Sequence, residues 1–92
     1  MIVRIMGEGQ FSLGSAELDR LNELDNQVVA AVARSDGDGF TRGFQAMISL
    51  VKSQGKPVGA SELVSSDIVL PDPDLSLEEA RGLFTGEGLV PG

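Results

Sequence analysis

The residues in this chain that could support catalysis or metal binding are almost all carboxylates. The sequence has no histidine, cysteine or tyrosine, so a nucleophile activated by a neighbouring base is not indicated. Asp72, Asp74, Glu78 and Glu79 cluster in sequence and could hold a hard cation, but a solvated turn followed by a helix start explains all four. We therefore predict no catalytic residue, no metal site and no cofactor.

Two glycine-containing segments have partial similarity to known binding loops. Segment 7–9 (GEG) follows an apolar strand pattern, as in a dinucleotide fingerprint, but Ser12 occupies the third glycine position and a second strand follows where a helix is needed. Segment 36–39 (DGDG) is part of a calcium-loop pattern whose first and twelfth positions are not acidic here. A hairpin loop and a helix–helix turn with Asp38 as N-cap explain the two segments.

Composition and charge exclude several classes of function. The 92 residues make one domain that buries only roughly 60–65% of its unfolded surface, so a partner chain could add stability. The net charge of −7 disfavours nucleic acid and anionic lipid as direct ligands. The longest apolar run, residues 28–33, is too short to span a bilayer. With no cysteine and no secretory pattern at the N-terminus, we expect a cytoplasmic protein that does not insert in a membrane.

The first half of the chain predicts a β-hairpin followed by two helices. Segment 2–6 is apolar and β-branched, and a short glycine-containing loop leads to a second strand at 10–13. Both faces of the first strand are largely apolar, so we expect both to be covered. Helical spacing predicts one helix from Ser15, its N-cap, to about residue 34 and a second over about 39–54. The short break between them indicates an antiparallel helical hairpin.

The last third predicts an extended strap that carries a short helix. Apolar anchors lie at 63–64 and 68–70, and segment 72–74 predicts a turn. Segment 76–79 (SLEE) has the spacing of a capping box, which starts a helix that Gly86 ends. The inward side chains of this helix would be Leu77, Ala80, Leu83 and Phe84, and Leu89 and Val90 would tuck back. The predicted fold class is α+β, with an N-terminal β-hairpin packed on an antiparallel helical hairpin and a C-terminal strap, in one domain over residues 1–92.

Asp25 departs from the pattern of the first helix. On a helical wheel it falls inside the apolar arc beside Leu21 and Val28. One interpretation is a partly hydrated edge of the apolar stripe. The other is a buried carboxylate paired with Arg4 or Arg42, which would fix the docking of the hairpin on the helix or mark a partner surface.

Six segments, taken in order, cover most of the chain. The first three are MIVRIMGEGQF at the start, LDRLNELDNQVVAAV at 18–32 and LVKSQGKPV at the end of the second helix. The last three are ELVSSDIVLP, SLEEARGLF and EGLVPG. In this order and spacing they resemble the PspA-associated protein family, and the resemblance spans essentially the whole chain.

The resemblance implies a non-enzymatic accessory protein of the phage-shock-type envelope stress response. Such proteins are typically encoded beside PspA, a coiled-coil protein that assembles on stressed membranes in bacteria and archaea. Direct binding to PspA is the interaction implied, with membrane association through that partner, and no catalytic residue is carried over. Glycines at 37, 39 and 43 depart from the strong helix formers expected at the start of the second helix and would loosen it.

Two physical features favour partner binding. The hairpin offers edges that could extend another sheet, and the apolar arc of the first helix could exceed what one sheet and one helix cover, unless the strap covers the excess. We predict a contact surface made of Ile2, Arg4, Met6, Phe11, Leu18, Leu21 and Asp25. The alternative is a self-assembling module, most simply a homodimer through the hairpin edge, without direct PspA contact. A carboxylate hydrolase would need a closely placed Asp/Glu pair in a cleft.

Overall fold

A computed structural model describes residues 1–59, 64–84 and 88–89 of the chain. These residues form the predicted α+β fold, in which a mixed sheet carries a helical hairpin on one face and a short helix follows. The strands are β1 (Ile2–Ile5), β2 (Gly9–Ser12), β3 (Lys56–Pro57) and β4 (Ile68–Leu70). The helices are α1 (Ser15–Ala33), α2 (Gly37–Gln54) and α3 (Leu77–Ala80).

The sheet has the strand order β3-β2-β1-β4. β1 and β2 form the predicted antiparallel hairpin, and its turn contains Gly7 and Gly9 at φ 85° and 102°, a region that glycine adopts without a steric penalty. β3 pairs antiparallel with β2, and β4 lies parallel to β1. The prediction of free hairpin edges is therefore wrong, because β3 and β4 occupy both of them. Lys56 and Pro57 form one outer edge, and these residue types discourage further strand pairing.

One face of the sheet packs on the helices; the other, which we call the open face, is covered only in part, by the segment before β4. In β1, Val3 and Ile5 are fully buried, whereas Arg4 is exposed. In β4 the same alternation buries Ile68 and Leu70 and leaves Val69 48% exposed. The expectation that both faces of β1 are covered is wrong, because the helical layer lies against only one of them.

The two long helices form the predicted hairpin, but both begin differently from the prediction. Gly14, rather than Ser15, is the N-cap of α1. α2 begins two residues earlier than predicted, because Asp36 and not Asp38 is its N-cap. The Asp36 Oδ1 accepts a hydrogen bond from the backbone N–H of Gly39 at 3.0 Å, which satisfies a donor that the first turn leaves free.

Glycines of α2 allow the two helices to approach closely. A methyl group at Gly43 would lie 2.8 Å from the Val28 Cγ2 of α1. A methyl group at Gly39 would collide with the Asp36 carboxylate and lie 3.3 Å from the Ala31 Cβ. These two positions therefore have a packing role, which the prediction of a loosened helix start did not include.

The core lies between the buried face of the sheet and the helical hairpin. Gly55, directly after α2, brings the helix end against β2, where a methyl group would lie 2.9 Å from the Phe11 Cβ and 3.2 Å from the Leu13 Cδ2. The largest fully buried side chains are those of Phe44, Ile5, Leu21, Met47, Leu70, Val3, Val28, Val51 and Asp25. Asp25 is the one polar member of this set.

The C-terminal strap is attached to α2 through aromatic contacts. The ring of Phe84 lies edge-on to Phe40 and Phe44, with centroids 6.3 and 5.9 Å away, and the latter two rings stack at 5.6 Å. The predicted capping box at the start of α3 is confirmed. Ser76 Oγ accepts from the Glu79 N–H at 3.2 Å, and Glu79 Oε1 accepts from the Ser76 N–H at 3.1 Å.

The side of α3 that faces the core is narrower than predicted. Ala80 and Phe84 are buried and Leu77 is partly buried, as predicted, but Leu83 is 45% exposed. α3 ends at Ala80, and the turn that follows directs Leu83 to solvent. Three further predictions fall outside the described residues: those for Leu63, Gly86 and Val90.

Candidate interaction site

The predicted contact residues do not form one surface. Ile2, Arg4 and Met6 lie on the open face of the sheet or directly beyond β1. The others lie on the helical side of the sheet: Phe11, Leu21 and Asp25 are buried, and Leu18 is partly buried against the core. Arg4 and Met6 are exposed and accessible to a partner in this conformation, whereas Ile2 is partly buried, as Leu18 is.

The open face presents an arginine next to exposed apolar side chains. Arg4 pairs with Gln10 of β2 on one side and with Val69 of β4 on the other. Paired residues share a face, so the three side chains form one row across the sheet. Met6 lies two residues beyond Arg4 and is 49% exposed. The row therefore combines a cation with apolar surface that water can reach.

The segment before β4 lies against part of this face. The Gln10 Nε2 donates to the Val64 carbonyl at 3.1 Å and to the Ser66 Oγ at 2.8 Å. The backbone N–H of Ile2 donates to the Asp67 Oδ2 at 2.8 Å. These bonds hold the strap over β2, and they leave the half of the face around Arg4 open.

Four of the five cations outside the open face have a polar partner within the described residues, Arg42 being the exception, whereas the two on the open face have none. Arg20, Arg34 and Lys52 have carboxylate partners at 3.9, 3.8 and 2.8 Å. Lys56 pairs with Ser12 and therefore shares the face of Arg4. Within the part of the chain that the structure describes, the side chains of Arg4 and Lys56 make no hydrogen bond or ion pair.

Asp25 lies beneath the C-terminal tail. Its Oδ1 accepts a hydrogen bond from the backbone N–H of Leu89 at 3.1 Å. Gly88 has φ 78°, and a methyl group there would lie 2.5–2.8 Å from the Asp25 carboxylate. The interpretation of Asp25 as a partly hydrated edge is wrong, since it is fully buried. Arg4 lies on the face of the sheet turned away from the helices, so the bond that Asp25 accepts docks the tail on α1.

A surface groove of about 470 Å³ runs along the contact between α1 and α2. Small side chains form most of its floor, and Arg34 and Arg42 lie at its sides. Arg34 is engaged with Asp36, whereas Arg42 makes no hydrogen bond or ion pair within the described residues.

The acidic residues at 72–79 have local structural roles. Asp72 Oδ1 accepts from the Asp74 N–H at 2.9 Å within the predicted turn, and Glu79 belongs to the capping box of α3. Across residues 1–59, 64–84 and 88–89, no group of three His, Cys, Asp or Glu side chains is arranged to hold a metal ion. The turn and the helix start account for the contacts of Asp72 and Glu79 without a ligand.

A comparison with known protein families gives the same family as the six sequence segments do. The family model described as PspA-Associated protein matches residues 1–92. The chain belongs to the PspA-associated protein family. The predicted resemblance is thereby confirmed. A search of curated proteins and a search of solved structures returned no match.

For a PspA-associated protein, the relevant features are the surfaces that a protein partner can reach. In the described residues, no helix combines the length and hydropathy needed to cross a bilayer. The sequence prediction missed Lys56, Val64 and Val69 as members of the accessible surface. The sequence of β4 gave little signal for Val69, because Ile68, Val69 and Leu70 are all apolar and the alternation appears only in their burial.

Proposed function

We propose that this chain is a non-enzymatic accessory protein of the PspA-type envelope stress response and acts by binding a PspA-like coiled-coil protein. The main support for the proposal is the family match over residues 1–92. The family name describes association with PspA, and binding is the simplest physical form of association. In this proposal the protein is cytoplasmic and reaches the membrane only through its partner.

The charge of the chain supports an indirect link to the membrane. A net charge of −7 disfavours adsorption on anionic lipid. A protein partner that itself assembles on the membrane removes the need for a lipid-binding surface on this chain.

Co-purification tests the proposal. The tagged chain and the PspA protein of the same organism are co-expressed, and light scattering gives the mass of each component alone and of the mixture. We expect a complex that survives size-exclusion chromatography, while an unrelated acidic protein of similar size and charge is not retained by PspA. No complex, together with a stable dimer of this chain alone, would contradict the proposal and favour a self-assembling module.

A further inference from the structure

We propose that the open face of the sheet is a docking surface for an acidic amphipathic helix, such as a coiled-coil protein presents. The inference rests on the proposed function, because it assigns a surface to the binding of PspA. We call this surface the open-face patch and define it by Arg4, Met6, Val64 and Val69.

Apolar surface surrounds the cation of the open-face patch. Val69 lies directly opposite Arg4 in the β1–β4 pair, and Met6 follows on the same face. Val64 lies beyond Gln10, which donates to its carbonyl. Met6, Val64 and Val69 are each between 40% and 49% exposed, so they keep substantial apolar area that a partner could remove from water.

The charge of the open-face patch is opposite to that of the whole chain. The molecule carries 14 acidic and 7 basic residues, yet this face presents Arg4 and Lys56 without an ion pair within the described residues. Of the carboxylates near this face, Glu8 of the hairpin turn pairs with Lys52 of α2, and Asp67 accepts from the Ile2 N–H while it keeps its charge. A carboxylate of the partner opposite Arg4 would form an ion pair with it and so fix the register of docking.

The dimensions of the patch fit a helix better than a strand. The strap lies over β2, so a partner reaches β1 and β4, whose axes are about 4.8 Å apart. A helix about 10 Å across would lie over both strands and against the strap. A helix with apolar residues at i, i+3 and i+7 would contact Met6 and Val69 and place an acidic residue near Arg4. Strand addition is disfavoured at β3, where the edge consists of Lys56 and Pro57.

Two other occupants fit the charges less well. A two-fold dimer through this face would bring two cationic patches together, since such an interface uses the same surface on both subunits. An anionic membrane would attract Arg4 and Lys56 but repel a chain with a net charge of −7. Both occupants are nevertheless outcomes that the experiment below can detect.

Charge reversal with a matched control tests the open-face patch. Arg4→Glu is compared with Arg42→Glu, because both arginines are exposed and neither has an ion pair among the described residues. Val69→Glu is compared with Leu83→Glu, since these side chains are 48% and 45% exposed. Val69→Thr keeps a β-branched residue in β4 in case the glutamate disturbs the strand. Circular dichroism and urea denaturation establish that each variant is folded.

The Kd of each variant for the PspA protein of the same organism is measured by calorimetry at low and high salt. We expect Arg4→Glu and Val69→Glu to raise the Kd at least about tenfold and the two controls to change it by no more than about twofold. Val69→Thr should raise the Kd by a smaller factor. The salt dependence of the Kd should be weaker for Arg4→Glu than for the wild type.

Four results would overturn the inference by pointing to another explanation. Equal losses for Arg4→Glu and Arg42→Glu would point to net charge, and a selective loss for Arg42→Glu would point to the groove between α1 and α2. Binding of the wild type to anionic vesicles that Arg4→Glu abolishes would make the patch a lipid site. A wild-type dimer that Val69→Glu dissociates would make it a self-interface.

The same measurements separate failure of the surface from failure of the function. If the wild type binds PspA and the patch variants bind equally well, the proposed function stands and the surface is wrong. If the wild type does not bind PspA, both the proposed function and the inference are wrong.

Discussion

Substitution of Gly88 by alanine should reveal how much the buried carboxylate of α1 contributes to holding the tail. Gly88 has φ 78°, and the added methyl group would lie 2.5–2.8 Å from atoms of the Asp25 carboxylate. Contacts this short are not sustained, so the tail and the Asp25 carboxylate must move apart. That movement breaks the 3.1 Å hydrogen bond from the Leu89 N–H to the Asp25 Oδ1.

Two terms contribute to the loss of stability. A non-glycine residue in the left-handed region costs about 1–2 kcal/mol, and a hydrogen bond to a charged group contributes about 1.5–3 kcal/mol. The free energy of unfolding should therefore fall by about 2.5–5 kcal/mol in Gly88→Ala. A chain of this length has a free energy of unfolding of about 5–14 kcal/mol, so the loss is a large fraction of the total.

Gly7→Ala is the matched control. Gly7 has φ 85°, but a methyl group there would have its nearest neighbour, the Asp72 Oδ2, at an ordinary 3.5 Å. The backbone strain and the effect on the unfolded chain are therefore shared by the two variants, and subtraction removes them. The difference between Gly88→Ala and Gly7→Ala should be about 1.5–3 kcal/mol.

Urea denaturation followed by far-ultraviolet circular dichroism provides the measurement, because the chain has no tryptophan or tyrosine for fluorescence. The slope with urea should be unchanged if both variants unfold as the wild type does. A difference below about 0.5 kcal/mol between Gly88→Ala and Gly7→Ala would refute the argument, since the contact with Asp25 would then contribute nothing measurable.

Three further predictions use the same denaturation assay. Asp25→Asn should cost about 1–2 kcal/mol, because the amide keeps one acceptor oxygen but loses the charge; a loss within about 0.5 kcal/mol would show that the charge is not needed. Gly43→Ala should cost about 1–3 kcal/mol by overpacking against Val28, 2.8 Å away, and unchanged stability would mean that the helices separate freely. Phe84→Ala should cost about 3–5 kcal/mol through loss of the aromatic contacts with α2, and a cost near that of a surface change would refute their role.

The sequence predicted those features whose signals are local. The hairpin loop, the two long helices and the capping box at Ser76 all depend on residues a few positions apart, where backbone preferences act directly. The boundaries were less accurate. Asp36 and Asp38 are equally suitable cap residues by type, and only the position of α2 against α1 distinguishes them.

The features that sequence reasoning missed depend on contacts between distant parts of the chain. The Ile2 N–H bonds to Asp67, 65 positions away, and the Leu89 N–H bonds to Asp25, 64 positions away. No periodicity within β1 indicates that β4 will pair beside it. The hairpin therefore looked as though its edges were free, and the predicted contact surface combined residues from opposite sides of the sheet.

The strap determines which part of the predicted contact surface remains accessible. It supplies β4 to one edge of the hairpin, covers Asp25 of α1 with the tail, and attaches to α2 through Phe84. After these contacts, the exposed half of the hairpin face around Arg4 is where charge and apolar surface coincide.

Stability and binding should consequently be separable in this molecule. The contact of Asp25 with the tail lies on the helical side of the sheet, whereas Arg4 lies on the opposite face. Sites that share no partners contribute nearly independently to free energy. Gly88→Ala should therefore lower stability while its folded fraction binds PspA normally, and Arg4→Glu should weaken binding with little loss of stability. If Gly88→Ala also weakened binding by the folded protein, the tail would have to belong to the interface, and the open-face patch could not be the whole of it.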